Sequence, residues 1–347
     1  MIFKFLDKLY SHFLFKKNHF IKKNNLMKKT FGFVNATYID RCLKKKDKKF
    51  LLVFDCKCSP ATYGDFASFI ILIRLFQLYN KKIELVIING EYWKNWARFR
   101  ENHIPKFLSE LRQLSIGLSL NSKLIVHMLS WSQFNKKFSE DKNQILFEKK
   151  VLGRKPIYDI LFNSFQFLYF LNKKNFEKII FQCKKKDYVT INVRFSDHSE
   201  IYSNDVDRER DTSLNEIIKI LTKIKNIQND KKIIIITDQP GFKKFKEIKK
   251  KFSNVFFSKE FASTFLEDVK IILNSEMYIQ YNTGGMGTFP ILSNLPYYIG
   301  WKFGNISWAF FWKNSIQYTS WQTIDQKAFY KIDFDNFLNK IKLKSSR

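Results

Sequence analysis

The feature that most constrains the fold is the alternation of short apolar runs with helix-like segments between residues 188 and 299. Apolar runs typical of buried strands occur at Tyr188–Val193 and Lys232–Thr237, and the segment between them, Ser213–Ile227, has helical apolar spacing. A strand, a helix and a second strand in succession predict a parallel sheet. The same reading predicts helices at Phe242–Phe252 and Phe265–Asn274, strands at Val255–Phe256, Met277–Gln280 and Tyr297–Ile299, and a turn followed by a helix at Gly284–Ser293.

The first half of the chain repeats this pattern. A strand is predicted at Leu51–Asp55, a helix at Tyr63–Tyr79, and further strands at Ile83–Ile88 and Leu124–Met128. The pattern then loosens up to residue 186, around a helix predicted near Tyr158–Leu171. The fold class is therefore α/β, with two Rossmann-like, doubly wound domains.

Shifts in composition suggest four segments. We expect a basic amphipathic segment at 1–30, an N-terminal α/β domain at 31–175, a C-terminal α/β domain at 176–320, and a C-terminal helix with a basic tail at 321–347. The first segment fits either a helix on an anionic membrane surface or a helix packed on the protein itself. No apolar stretch reaches the roughly 20 residues that span a bilayer.

The formal net charge of +29 would ordinarily indicate nucleic acid, anionic lipid or a phosphorylated ligand. Only 10 of the 61 basic residues are arginine, however, and abundant Lys, Phe, Ile and Asn are typical of an AT-rich coding sequence. No nucleic-acid-binding motif is visible and the lysines are spread along the chain, so we expect no nucleic-acid partner. Four cysteines do not form a disulfide framework in a chain of this length, which favours a cytoplasmic location.

Arginine is scarce, yet three arginines follow the strand at Tyr188–Val193. Arg194 lies directly at the strand end, and Arg208 and Arg210 come before the next helix. Ligands bind outside the carboxyl ends of strands in doubly wound sheets, and a guanidinium matches phosphate oxygens. These residues are therefore candidates for binding a diphosphate, although Arg208 and Arg210 could equally pair with neighbouring carboxylates.

Two later strand ends offer polar side chains. Thr237 and Asp238 could contact a nucleoside, although the same residues are common in turns. Ser263 and Thr264 precede a helix whose N–H groups could face a phosphate, and a purely structural capping role is the alternative.

A glycine-rich turn runs from Asn282 to Thr288 and holds three of the chain's 11 glycines. Glycines allow backbone amides to approach a ligand closely. The turn has neither the lysine of a Walker loop nor the spacing of a dinucleotide fingerprint. We expect it to hold a phosphate or sugar, with contacts from Asn282, Thr283, Gly284 and Gly285.

One carboxylate stands out in the first half. Asp65 follows the strand Leu51–Asp55 in a Ser-Pro-x-Thr-Tyr-x-Asp-Phe turn that leads into a helix. A carboxylate facing the phosphate loops could take a proton from an acceptor hydroxyl. The alternative is a helix-start residue favoured by the helix dipole.

These stretches together resemble the GT-B glycosyltransferases, in particular the broad fucosyltransferase-like group. The matching stretches are Val193 to Asp211, Ser263–Asp268 and Tyr281–Thr288, and the turn before Asp65 is similar to the opening loop of some bacterial members. The resemblance implies two domains that face a cleft, with the N-terminal domain on the acceptor side.

The resemblance also implies the reaction. A sugar would move from a nucleoside diphosphate to a surface-glycan or polysaccharide acceptor, which could be lipid-linked, without a metal or other cofactor. The arginines would stabilise the leaving diphosphate, and Asp65 or Asp197 would act as the base. The location implied is the cytoplasm, peripherally on the inner face of the cell membrane, and the alternative is a non-catalytic nucleotide- or glycan-binding protein of the same fold.

Overall fold

The chain forms two compact units, Met1–Ile180 and Phe181–Arg347. Each unit contains one parallel β-sheet with helices between its strands. The computed structural model describes residues 36–37, 39–45, 49–56, 63–90, 104–121, 123–138, 145–146, 171, 175, 178–184, 186–195, 211–227, 231–280 and 285–299.

The first unit has a four-stranded sheet in the order β3-β2-β1-β4, in which every pairing is parallel. Its described strands are Lys49–Asp55 (β1), Lys82–Asn89 (β2), Ile125–Ser130 (β3) and Ile145–Leu146 (β4), and its helices include Tyr63–Leu78 (α1), Ile104–Leu118 (α2) and Trp131–Phe138 (α3).

Strand β1 is buried on both faces. Leu51 and Val53 pack in a cluster with Phe134 and Phe138 of α3. Phe54 points the other way, and its ring lies edge-on to that of Phe66 in α1, with centroids 4.9 Å apart. Helices on both faces explain why β1 is an unbroken apolar run rather than an alternating one.

A buried arginine of α1, Arg74, donates hydrogen bonds to backbone carbonyls outside that helix. The Nη1 group of Arg74 donates to the carbonyl of Leu118 at 2.7 Å, which is the last residue of α2. Its Nη2 group donates to the carbonyl of Ile180 at 3.0 Å, and its Nε group donates to that of Ile179. Burial lowers the pKa of this guanidinium to about 10. Arg74 therefore fixes two chain segments that are distant in sequence against one helix.

The second unit has a five-stranded parallel sheet in the order β7-β6-β5-β8-β9. Its strands are Tyr188–Asn192 (β5), Lys232–Ile236 (β6), Val255–Phe257 (β7), Met277–Gln280 (β8) and Tyr297–Ile299 (β9). Its α-helices are Leu214–Ile227 (α4), Gln239–Phe245 (α5), Phe265–Leu273 (α6) and Thr288–Ile291 (α7), with 3-10 helices at Lys246–Lys250, Ser258–Glu260 and Gly285–Gly287.

The order of the second sheet reverses direction between β5 and β8. From β5 the chain adds β6 and then β7 on one side, and it then crosses over to add β8 and β9 on the other. The described strands of the first sheet follow the same scheme, with β4 on the far side of β1. This is the Rossmann arrangement, and it confirms the predicted α/β fold class with two similar halves.

Helices α2 and α3 of the first unit are absent from the sequence-based prediction. The apolar positions of α2 recur at helical spacing, from Phe107 through Leu111 and Leu114 to Leu118, and these residues are buried. Helix α3 is only eight residues long, and two phenylalanines fix it against the sheet. A short helix held mainly by tertiary packing leaves a weak periodic pattern in the sequence.

The helix predicted at Phe242–Phe252 begins earlier and is divided. The α-helix starts at Gln239, because the Asp238 side chain caps it and Pro240 suits its first turn. A 3-10 helix replaces it from Lys246 to Lys250.

Several predicted segments lie outside the described residues. They are residues 1–30, most of the helix near Tyr158–Leu171, and residues 321–347. Among the helices that the structure describes, none is both long and apolar enough to cross a membrane.

Candidate functional site

The candidate site lies at the carboxyl edge of the second sheet, where the strand order reverses. The loops after β5 and β8 leave the sheet on either side of the reversal, and a crevice at such a point is where doubly wound sheets bind ligands. Arg194 follows β5, and the turn that contains Gly285 follows β8. The two sequence features predicted to bind an anion therefore come from the two strands that flank the reversal.

Backbone hydrogen bonds fix the start of the loop after β5. The N–H of Val193 donates to the carbonyl of Ile236 at 2.9 Å, and the carbonyl of Arg194 accepts from the N–H of Thr212 at 2.8 Å. The Nε of Arg194 lies 4.0 Å from Oδ1 of Asp211, and the arginine side chain is 23% exposed. The backbone of Arg194 is thus fixed at the strand end, while part of its side chain reaches solvent.

The turn after β6 is tight. Asp238 Oδ1 accepts a hydrogen bond from the N–H of Gly241 at 2.8 Å. A Cβ atom at Gly241 would lie 2.1 Å from Oγ1 of Thr237 and 2.9 Å from Oδ1 of Asp238, so the turn has no room for a side chain there. Partial desolvation of the Asp238 carboxyl raises its pKa, and nearby Asp211 adds to that shift, while the Gly241 N–H and Lys259 oppose it.

Phe195 connects the loop after β5 with helix α5. Its Cβ would be 3.3 Å from a Cβ at Gly241, and its ring lies edge-on to that of Phe245, with centroids 5.6 Å apart. Lys244 Nζ lies 3.9 Å from the centroid of the Phe195 ring. Sequence reasoning missed Lys244, because it is one of several lysines in this segment and nothing in the sequence distinguishes it.

Buried polar atoms without a hydrogen-bond partner among the described residues collect at this edge. Each of these atoms is shielded from solvent, and buried polar groups normally form hydrogen bonds. Such atoms at a strand edge are typical of a site that a ligand or water completes. They are Thr212 Oγ1 before α4, Thr237 Oγ1 after β6, Ser258 Oγ after β7, Gln280 Nε2 at the end of β8, and Asp268 Oδ1 in α6.

Ser263 and Thr264 cap helix α6, and a carboxylate of the chain already binds them. Glu267 Oε2 accepts from the backbone N–H groups of both residues at 2.8 Å and from their hydroxyls at 3.0 and 3.1 Å. The backbone N–H groups of Thr264 and Ser263, followed by their hydroxyls, lower the pKa of Glu267 to about 2. A phosphate at this helix end would have to take the place of Glu267.

An ion pair that sequence reasoning missed also lies beside the site. Lys259 Nζ contacts Asp268 Oδ2 at 2.6 Å, and the carboxylate side chain is only 4% exposed. Lys259 also lowers the pKa of Asp238. Both signs of charge are therefore present around the strand ends β5 to β7.

The remaining predicted site residues are only partly described. Asp65 is the third residue of α1, and its side chain is outside the described residues. Six further residues lie wholly outside the described part of the chain: Asp197, Arg208, Arg210, Asn282, Thr283 and Gly284. Gly285 is described and begins a 3-10 helix.

In the described part of the chain, no group of three or more His, Cys, Asp or Glu side chains is arranged to hold a metal ion. Protein-family models give no match to this sequence, and neither do curated proteins.

The solved structures that resemble this chain include two of a heptosyltransferase. E. coli heptosyltransferase WaaC with ADP is 10% identical, with a TM-score of 0.33, over 73% of this chain and 91% of that chain. E. coli heptosyltransferase WaaC with ADP-2-deoxy-2-fluoro heptose is 12% identical, with a TM-score of 0.35, over 74% of this chain and 90% of that chain. Both TM-scores are low, and neither likeness carries an argument about what this chain binds.

Proposed function

We propose that this protein is a glycosyltransferase that moves a sugar from a nucleoside diphosphate to a surface-glycan or polysaccharide acceptor, without a metal ion. The main support for this proposal is the position in the sheet of the two strands that two of the candidate loops follow. The arginine loop and the glycine-rich turn follow β5 and β8, which flank the reversal of strand order in the second sheet. The unpartnered buried polar atoms at the same edge support a polar ligand there.

Arg194, with Arg208 and Arg210, would bind the diphosphate of the donor. When the bond to the sugar breaks, negative charge develops on the leaving diphosphate, and fixed guanidinium groups stabilise that charge. Backbone amides from Asn282 to Gly285 would contact the same group, and Ser263 and Thr264 would do so once the phosphate replaces Glu267.

Thr237 and Asp238 would contact the nucleoside. Asp238 uses Oδ1 for the Gly241 N–H and keeps exposed surface, so a ribose hydroxyl could reach the carboxylate. Asp65 or Asp197 would take the proton from the acceptor hydroxyl. In this proposal the first unit serves the acceptor, which could be lipid-linked, and the protein works in the cytoplasm at the inner face of the membrane, with residues 1–30 on anionic lipid.

The first test is a thermal-shift screen with UDP, GDP, ADP and CMP and their sugar derivatives. We expect one nucleotide to stabilise the protein. At a ligand concentration about 100 times Kd, the free energy of unfolding of the binding unit rises by about 2.7 kcal/mol, which raises Tm by roughly 5 °C or more. Arg194→Ala should abolish the shift.

Arg112→Ala is the matched control, because Arg112 is an exposed arginine on α2 in the other unit. The ligand shift should survive that change. An undiminished shift in Arg194→Ala would overturn the proposed site.

Catalysis is tested separately by following sugar transfer and donor hydrolysis with the nucleotide sugar that binds. We expect turnover that persists in EDTA. Binding without turnover would instead favour a non-catalytic nucleotide- or glycan-binding protein.

A further inference from the structure

Lys244 occupies an unusual place among the lysines of the second unit. Its ammonium lies 3.9 Å from the centroid of the Phe195 ring and 5.8 Å from that of Phe245. Nearby Lys249 and Lys250 form ion pairs with glutamates, whereas Lys244 has no carboxylate within ion-pair distance among the described residues. The ring therefore holds an exposed ammonium whose charge is not offset by a contacting anion.

The ring that holds Lys244 belongs to the residue next to Arg194. Consecutive Cα atoms are about 3.8 Å apart, so Arg194 and the ring that contacts Lys244 of α5 share one short stretch of backbone after β5. Gly241 packs against Phe195, and its N–H binds Asp238, so the start of α5 is fixed beside this stretch. Lys244 is thus held at the carboxyl edge of the sheet.

The charges at this edge favour a further cation. Among the described side chains, Arg194 and Lys259 are the cations already assigned to the site, and four carboxylates accompany them: Asp211, Asp238, Asp268 and Glu267. An excess of negative charge would oppose an anionic ligand. Lys244 reduces that excess.

We propose that Lys244 is a further diphosphate-binding residue and that Phe195 is the positioning residue that holds it near Arg194. The inference deepens the proposed function and rests on it. An ammonium over a ring face still has N–H groups that point away from the ring, so phosphate oxygens can bind Lys244 while the ring holds it. Because the ring already restricts the lysine stem, less side-chain freedom is lost on binding.

The test uses isothermal titration calorimetry of inorganic pyrophosphate with the full chain at low salt. We expect Lys244→Ala to weaken binding about 5- to 10-fold, as loss of one charge-assisted contact would. Lys243→Ala is the matched control, because this neighbouring lysine of α5 is also exposed and its removal changes the net charge equally. We expect that variant to stay within about twofold of the parent chain, the range of exposed charge changes.

Phe195 is tested by a double-mutant cycle. Phe195→Leu keeps an apolar side chain against α5 but removes the ring face. We expect it to weaken pyrophosphate binding when Lys244 is present and to have no further effect in Lys244→Ala. A purely structural role for Phe195 would give equal losses in both backgrounds and would overturn its positioning role.

The outcomes separate this inference from the function on which it rests. If Arg194→Ala does not weaken pyrophosphate binding, the proposed function itself fails. If Arg194→Ala weakens it but Lys244→Ala and Lys243→Ala behave alike, only the role of Lys244 is refuted. The lysine comparison involves exposed side chains, so it stays decisive even if Phe195→Leu fails to fold.

Discussion

Gly241 lies where the turn after β6 packs against the loop after β5, and it has no side chain to keep them apart. Its backbone lies against the Thr237 hydroxyl, the Asp238 carboxylate and the Phe195 side chain at once. The space it leaves is what allows the turn after β6 to approach the loop after β5. Glycine is required here by close packing, since the Thr237 and Asp238 oxygens lie closer to this position than a Cβ atom tolerates.

We expect Gly241→Ala to destabilise the second unit by about 1–3 kcal/mol, because the new methyl group overpacks the turn. Chemical denaturation of the parent chain and the variant would measure the loss. Adding Thr237→Ala removes the atom 2.1 Å from the new Cβ and should restore part of it. No rescue would show that the Thr237 hydroxyl is not the main obstacle.

The Glu267 carboxylate predicts a pH effect. Because its pKa in the folded protein is lowered from 4.5 to about 2, the interaction stabilises the fold fully above pH 4.5 and is lost as the pH falls toward 2. Glu267→Gln should therefore flatten the dependence of stability on pH in that window. Denaturation midpoints compared above pH 4.5 and near pH 2 would measure it, and equal slopes in both proteins would contradict it.

At the scale of elements, the strands were largely visible in the sequence and the helices less so. Buried parallel strands are unbroken apolar runs, and Met277–Gln280 and Tyr297–Ile299 match the structure at both ends. Helix α2 was overlooked although Leu111 and Leu114 keep its period. The start of α5 depends on the Asp238 cap, a local contact that apolar spacing does not reveal.

Arg74 should contribute strongly to the stability of the first unit. Arg74→Met should lower the free energy of unfolding by about 3 kcal/mol, because buried carbonyls lose a charged donor. Urea unfolding followed by tryptophan fluorescence would measure it. Arg74→Lys should rescue little, since an ammonium lacks the planar fork of the guanidinium.

Gln77→Ala provides the control, because Gln77 lies on the same helix and also donates to a carbonyl, that of Asn121, at the surface. We expect its cost to stay below about 1 kcal/mol, because water can replace an exposed hydrogen bond. Equal losses at both positions would argue against a special role for the buried arginine.

For the whole molecule, charge is a poor guide to the site. Nothing in the sequence distinguishes Lys244 and Lys259 from the other lysines among the chain's 51. Their contacts with Phe195 and Asp268 set them apart, and only the three-dimensional structure shows those contacts. Arginine was informative because it is scarce in this chain. The sequence therefore singles out Arg194 as a candidate but gives no reason to single out Lys244 or Lys259.

The net charge of +29 predicts nonspecific behaviour toward polyanions. We expect double-stranded DNA to retain the protein at about 50 mM salt and to release it by about 200 mM, without sequence preference. Arg194→Ala should leave this retention nearly unchanged, because one charge among many is lost. Strong dependence of DNA retention on Arg194 would argue that the site binds nucleic acid.

The pairing of β5 with β8 has a consequence for how such a protein can change. Residues from Val189 to Asn192 pair with Met277 to Gln280, and β5 is also bonded to β6, so the frame of the crevice consists of buried backbone. The loops that follow these strands can exchange residues without breaking those bonds. Ligand preference can therefore diverge between descendants of this chain while the scaffold stays the same, and grafting one descendant's loops onto another's strands should carry the preference with them.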